Sequence, residues 1–217
     1  MKKFFWSVFF LLTSCAIYAQ THSFQPEWAF GVNAGVNFSK VRFNPSIAQD
    51  LLLGATGGIT ARYISERNFG LQAELNYAQR GWDEQTDTIF NFNEYARLLH
   101  YIELPLMTHI YFDMGKRARG FFNLGPQIGY NIGEKTLKKE INTFEIPDHY
   151  TQKIQNKFDY GLVFGGGVEI RTDIGSFLLE GRAYIGLSDI FSNTRQDTFQ
   201  ASPNQVLGVK LTYLLRK

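Results

Sequence analysis

Histidines are the first place to look for chemistry in this chain, because imidazole exchanges protons and binds metals near neutral pH. There are four: His22, His100, His109 and His149. None stands at the spacing of a zinc or metalloprotease helix motif. Asp148-His149 lies in the longest loop, where a membrane acyltransferase or lipase would place its base. A catalytic triad is defined by geometry rather than chain order, and the sequence singles out no serine to complete one. Gly165-Gly166-Gly167 resembles a phosphate loop, but no helix follows to supply the anion site. Asp83, Glu84 and Asp87 crowd acids as a Ca²⁺ site does, at a spacing unlike an EF-hand loop. Lys135, Lys138, Lys139 and Lys153 alternate with Glu134, Glu140 and Glu145, the pattern of a solvated segment rather than an anion-binding patch. The expectation is no catalytic residue, no metal and no cofactor; His109 belongs with structural polar groups.

The beginning of the chain reads as a targeting segment. Lys2 and Lys3 precede an apolar run over residues 4–12, too short to span a bilayer as a helix. Ile17-Tyr18-Ala19 places a small residue before Gln20, giving a signal peptide over residues 1–19 and one domain over residues 20–217. The alternative is a lipoprotein signal, Leu12-Thr13-Ser14-Cys15, acylated on Cys15; an intact mass separates the two. Cys15 is the sole cysteine, so cleavage after Ala19 removes disulfides, thiolate chemistry and cysteine-metal sites. The same cleavage removes Lys2 and Lys3, leaving 20 basic residues against 20 acidic. The basic balance therefore gives no reason to expect a nucleic-acid partner.

What must position any site is a set of eight runs with period-two polarity, which are strands. They cover residues 28–38, 54–64, 68–80, 99–112, 119–131, 158–171, 176–188 and 205–215. The joins alternate. Long stretches at 39–52, 81–97, 133–157 and 189–203 take turns with short ones at 65–67, 113–116 and 172–175, which are rich in turn residues. Short turns at one rim and long loops at the other, with an even strand count, are the layout of an up-and-down outer-membrane β-barrel. The expected fold is all-β, eight-stranded and antiparallel, exported to a Gram-negative outer membrane, with short periplasmic turns and long extracellular loops.

Alternation does not say which phase faces outward. A lipocalin-like barrel, soluble or lipid-anchored, hides its apolar phase and binds a small ligand there. Three features favour lipid outside. The loop lengths alternate. Aromatics stand near the ends of the apolar phase, as interfacial girdles do: Phe30, Phe38, Tyr63, Phe69, Tyr77, Phe112, Phe122, Tyr130, Tyr160 and Tyr213. The polar phase holds a balanced charge set: Arg62, Glu74, Glu103, Glu169, Arg171, Glu180, Arg182 and Lys210. Eight strands enclose a space just wide enough for side chains, and charges enclosed there must pair. The expectation is a lumen filled by ion pairs, with no open pore. Pro105 and Pro126 fall inside strands and call for a bulge or a gap in the ladder.

Five stretches in order resemble one family. They are residues 30–39 (Phe-Gly-Val-Asn-Ala-Gly-Val-Asn-Phe-Ser), 71–77 with a following Gly81, 101–106, 124–130 and 158–163. On these the chain resembles the PorT-like outer-membrane β-barrel proteins over nearly all of residues 20–217. His109 stands where such proteins often carry Lys, and the chain ends Tyr213-Leu214-Leu215-Arg216-Lys217 rather than on an aromatic. The resemblance implies tolerance of proline at these places and a link to protein secretion across the outer membrane. The expected role is a structural scaffold, not an enzyme. Outer-membrane lipid surrounds its wall, and its loops, residues 133–157 above all, bind a protein partner. An outer-membrane lipid-modifying enzyme is the further alternative.

Overall fold

The computed structural model describes residues 24–88, 91–141, 153–191 and 200–216. Residues 1–19 with Cys15, and His22, Glu145, Asp148 and His149, lie outside the described residues. The strands are β1 (Glu27–Val41), β2 (Gln49–Asp50), β3 (Leu52–Glu66), β4 (Phe69–Thr88), β5 (Asn91–Asp113), β6 (Ala118–Ile141), β7 (Phe158–Thr172), β8 (Gly175–Asp189) and β9 (Pro203–Arg216). β2 is a two-residue piece lying on β4. The other eight pair antiparallel with their sequence neighbours, and β1 pairs with β9 from Ala29↔Arg216 to Val41↔Asn204. That last seam closes the wall into an eight-stranded barrel.

The two phases separate as the period-two pattern demands. On β7, Tyr160, Leu162, Phe164, Val168 and Ile170 are exposed, while Asp159, Val163 and Glu169 are buried. The apolar phase faces outward on every long strand, and the charges are inside. This is the inverse of a lipocalin, and it removes the small-ligand reading.

The short joins have the turn chemistry they need. Arg67 and Asn68 link β3 to β4, with Asn68 at φ 70°. Asparagine tolerates that left-handed conformation, which tight hairpins require. Its side-chain Nδ2 donates to the Tyr111 carbonyl at 2.7 Å, and Tyr111 N donates to the Asn68 carbonyl at 3.1 Å. Gly175 opens β8 at φ 147°, and there a Cβ would stand 2.7 Å from the Leu214 carbonyl oxygen.

Small barrels bend their strands sharply, and inward-facing glycines make room. A Cβ on Gly31 would lie 1.7 Å from the Tyr213 carbonyl oxygen, across the closing seam. Gly31→Val is therefore expected to weaken closure by about 1–3 kcal/mol or more, the scale of overpacking. A drop in the urea midpoint in lipid vesicles checks it, with Val32→Ile on the outward face as the neutral control.

Two expectations need correcting. Residues 81–97 are not mainly a loop: β4 continues to Thr88 and β5 starts at Asn91, paired from Gly81↔Leu98 to Thr88↔Asn91. β6 likewise runs to Ile141, inside the stretch 133–157. Above the rim the wall stands in water, so the outward apolar phase that marked the strands stops while the backbone ladder goes on. β4, β5 and β6 have 20, 23 and 24 residues, against 14 or 15 for the other long strands. They rise past the rest as a three-stranded wall.

At the prolines the ladder has a gap but no slip. β4–β5 pairing is interrupted between Ala73↔Leu106 and Asn76↔Glu103, beside Pro105. β5–β6 pairing is interrupted between Pro105↔Gln127 and Thr108↔Leu124, beside Pro126. The register is the same on both sides of each gap, because a missing N–H removes a bond without adding a residue.

Candidate functional site: a sealed lumen and the mouth above it

The lumen is built in three layers. At the short-turn end Ala29, Ile64, Tyr111, Phe121, Leu178 and Leu214 form an apolar floor. The middle is charged. Glu74, on β4, takes Arg182 Nη1 at 2.7 Å, Lys210 Nζ at 2.7 Å, Gln72 Nε2 at 2.7 Å and Asn76 Nδ2 at 2.9 Å. Arg182 also donates to Glu180 at 2.7 Å, and Glu180 accepts from Asn123 at 3.0 Å. Arg62 bonds Glu169 at 3.1 Å and Gln72 at 2.8 Å.

Nearer the mouth, Arg80 serves two carboxylates. Its Nε donates to Glu103 at 2.6 Å and its Nη1 to Asp159 at 2.6 Å. Its guanidinium lies over the rings of Tyr101 and Tyr184, 4.7 and 4.5 Å from their centroids, two cation–π contacts. Ser188 and Asn204 donate to Asp159, and Gln127 donates to Glu103. Glu74, Glu103, Asp159 and Glu180 are thus each held by a cation and by at least one neutral donor, the condition under which enclosed ions are tolerated. A cavity of about 30 Å³ lies among Asn76, Arg80, Glu103, Arg182, Tyr184 and Lys210, room for about two waters.

The mouth is closed by an apolar cap: Val41, Phe43, Trp82, Tyr95, Leu99, Tyr101, Ile154, Ile190 and Phe191. Phe43, Ile154 and Phe191 come from three different connections. Phe43 meets Trp82 edge-on at 5.5 Å, and Phe191 meets it at 6.1 Å. Asn156 Nδ2 donates to the Asp189 carbonyl at 2.9 Å, and Asn44 N donates to the Ala201 carbonyl at 3.0 Å. The loop bases are tied to one another over the lumen.

Seven of the eight charges named from the sequence lie in the charged layer: Arg62, Glu74, Glu103, Glu169, Glu180, Arg182 and Lys210. Arg171 does not join them; it bonds Glu27 at 3.0 Å near the short-turn rim. Sequence reasoning missed Arg80 and Asp159, which form a fully enclosed pair. The signal was present: both continue the inward phase at the ends of their runs. His109 is buried, its Nδ1 2.7 Å from Asn123 Oδ1, with Tyr111 and Phe121 rings beside it. His100 is on the outside of the wall, Nδ1 2.6 Å from the Tyr77 hydroxyl.

Asp83, Glu84 and Asp87 lie on strand β4, and Glu84 accepts from Trp82 Nε1 at 2.7 Å. Among the described residues no three His, Cys, Asp or Glu side chains gather as a metal site. Gly165 and Gly167 are wall residues; a Cβ would sit 2.4 Å from Glu180 Oε1 and 2.0 Å from the Leu179 carbonyl oxygen.

The named aromatics fall into two belts. Phe30, Tyr63, Phe69, Phe112, Phe122 and Tyr213 ring the short-turn end, where Trp28 and Phe177 pack on Tyr63 and Tyr213. Phe38, Tyr77, Tyr130 and Tyr160 ring the other end, with Phe158 beside Tyr160. An apolar outer band between aromatic belts, around a closed barrel with a polar interior, defines a transmembrane β-barrel. The model of the outer membrane protein beta-barrel domain family matches residues 18–192, and the chain belongs to that family. No curated protein matches the chain.

Among solved structures, the chain is similar to Ail, the attachment invasion locus protein of Yersinia pestis, crystallised with the heparin analogue sucrose octasulfate (11% identity, 87% of this chain and 99% of that one, TM-score 0.43). It is similar to neisserial surface protein A (12% identity, 85% and 97%, TM-score 0.46). It is also similar to the N-terminal β-barrel domain of OprF from Pseudomonas aeruginosa (9% identity, 88% and 100%, TM-score 0.39).

Proposed function

We propose that this protein is a scaffold, not a channel or an enzyme: the barrel anchors it in the outer membrane, and the long-loop end binds a protein partner outside. The observation that carries this reading is the filled lumen. Ion pairs fill the lumen between two apolar clusters, which favours the mouth as the useful surface, where rigid walls hold connecting segments in place. Of the residue types that suggested catalysis, those among the described residues take part in packing, while Asp148 and His149 lie outside the described residues. His109 holds Asn123, His100 faces the rim, and the glycine run is wall. Resemblance to the PorT-like proteins supports a partner linked to secretion. The signal peptide over residues 1–19 supplies export.

The test is a photo-crosslinking amino acid placed in turn at Lys135, Lys153 and Gln200 on the loop side and at Met114 in a short turn. On intact cells, specific high-mass adducts are expected from the loop side and not from Met114. Adducts from no loop position would overturn the reading. In planar bilayers the purified barrel is expected to give no stable ohmic conductance; a steady open level would make it a pore.

A further inference from the structure

We propose that the edge of β6 above the rim, which no described residue pairs, accepts an extended, acidic segment of the partner protein as an added β-strand; this rests on the scaffold reading and names its partner class. β6 pairs with β7 only as far as Tyr130↔Phe158, and Asn131 N donates to the Lys157 carbonyl at 2.7 Å. On its other side it stays paired with β5 up to Ile141↔Asn93. Residues 132–141 therefore form a strand with one ladder filled, and among the described residues nothing fills the second.

The opposite edge of this wall, on β4, is covered at Asp83 and Glu84 by β2. The exposure agrees. Ile132, Glu134, Lys135, Thr136 and Leu137 are exposed on both faces of β6, whereas Trp82, Glu84, Tyr95, Ala96 and Leu98 are buried on β4 and β5. A row of unpaired N–H and C=O groups is a template for one more strand.

Charge chooses the occupant. β6 carries Lys135, Lys138 and Lys139 here, and Lys157 stands at the foot of the edge. Residues 132–141 hold three lysines against two acids, Glu134 and Glu140, and Glu134 is held by Arg97 at 2.7 Å. A second copy would bring the same excess of lysines to the seam, which cross-strand pairing penalises, while an acidic strand complements that excess. Two bulges, between Asn131 and Gly133 and between Thr136 and Lys138, leave Ile132 and Leu137 as extra residues, 55% and 47% exposed. Lysines and bulges discourage indiscriminate edge pairing, so the edge is guarded rather than merely open, and the two apolar residues give a matching strand something to cover.

The experiment uses the full chain in nanodiscs with two blocked fluorescent peptides, one alternating Glu and Val, the other alternating Lys and Val. The acidic peptide is expected to bind at least about tenfold tighter than the basic one, and to slow amide hydrogen exchange over residues 132–141. Leu137→Pro places proline at a bulge, where the β5 ladder loses least; it should abolish both effects while keeping the boil-dependent gel shift of the intact barrel. Joint Lys135→Glu, Lys138→Glu and Lys139→Glu should reverse the peptide preference.

Binding without amide protection, or binding unaffected by Leu137→Pro, overturns strand addition and leaves a charged patch. Equal binding of both peptides, or self-association through β6, overturns the acidic partner. Crosslinks at other loop positions with β6 amides unprotected keep the scaffold reading and sink this one. Protection by the acidic peptide with no cellular crosslink at any loop position does the reverse.

Discussion

Arg80→Met will be the most damaging single change in the lumen, costing about 3–5 kcal/mol, the scale for stranding a buried charge. Arg80 is the cation that bonds both Glu103 and Asp159, and its removal leaves two enclosed carboxylates without it. The neutral donors Gln127, Ser188 and Asn204 stay, but they do not cancel charge. The two tyrosine rings also lose their contact with the guanidinium. Lys210→Met makes the comparison. Its partner Glu74 retains Arg182 and two side-chain amides, so the loss should be clearly smaller. Urea midpoints of the folded band in lipid vesicles measure both. Equal losses would mean that the charged layer does not partition as the distances imply.

The second large effect concerns the outer face. Leu211 pairs with Ala34, halfway between Phe30 and Phe38 on β1, and Leu215 pairs with Phe30 in the short-turn belt. Both leucines are 57% exposed. In water, arginine at either position would be equally harmless. In a bilayer the cost depends on depth: about 2–4 kcal/mol for Leu211→Arg near the midplane, and about 0–1 for Leu215→Arg at the interface, where the side chain reaches headgroups. A difference between the two urea midpoints checks it. Identical behaviour would place the wall out of lipid.

The barrel was legible because a two-sided wall imposes a strict period of two. Val32, Val36 and Phe38 alternate with Asn33 and Asn37 without a break, and the structure puts the first set outside and the asparagines inside. What was not legible follows from the same rule. Beyond Tyr77 and Ile102 the wall leaves the membrane, both phases become mixed, and the strands of the projecting wall read as loop. Arg80 and Asp159 sit at that boundary, one run ending and another beginning, where pattern fades before packing does. The apolar cap was invisible for another reason. Phe43, Trp82, Ile154 and Phe191 are far apart in sequence and show no period at all; only the closed topology brings them together. Arg171 was misplaced because phase tells inside from outside but not depth.

The cap carries a consequence for how such a protein changes over generations. Its connections are pegged at fixed points, Phe43, Ile154 and Phe191 around Trp82, before they go on to whatever lies beyond. Insertions and deletions placed between pegs alter what is displayed without moving the pegs, so novelty at the tips is insulated from the anchor beneath. A library that randomises residues between these pegs while keeping the pegs themselves should return correctly assembled barrels. The same diversity spread over the pegs should return few.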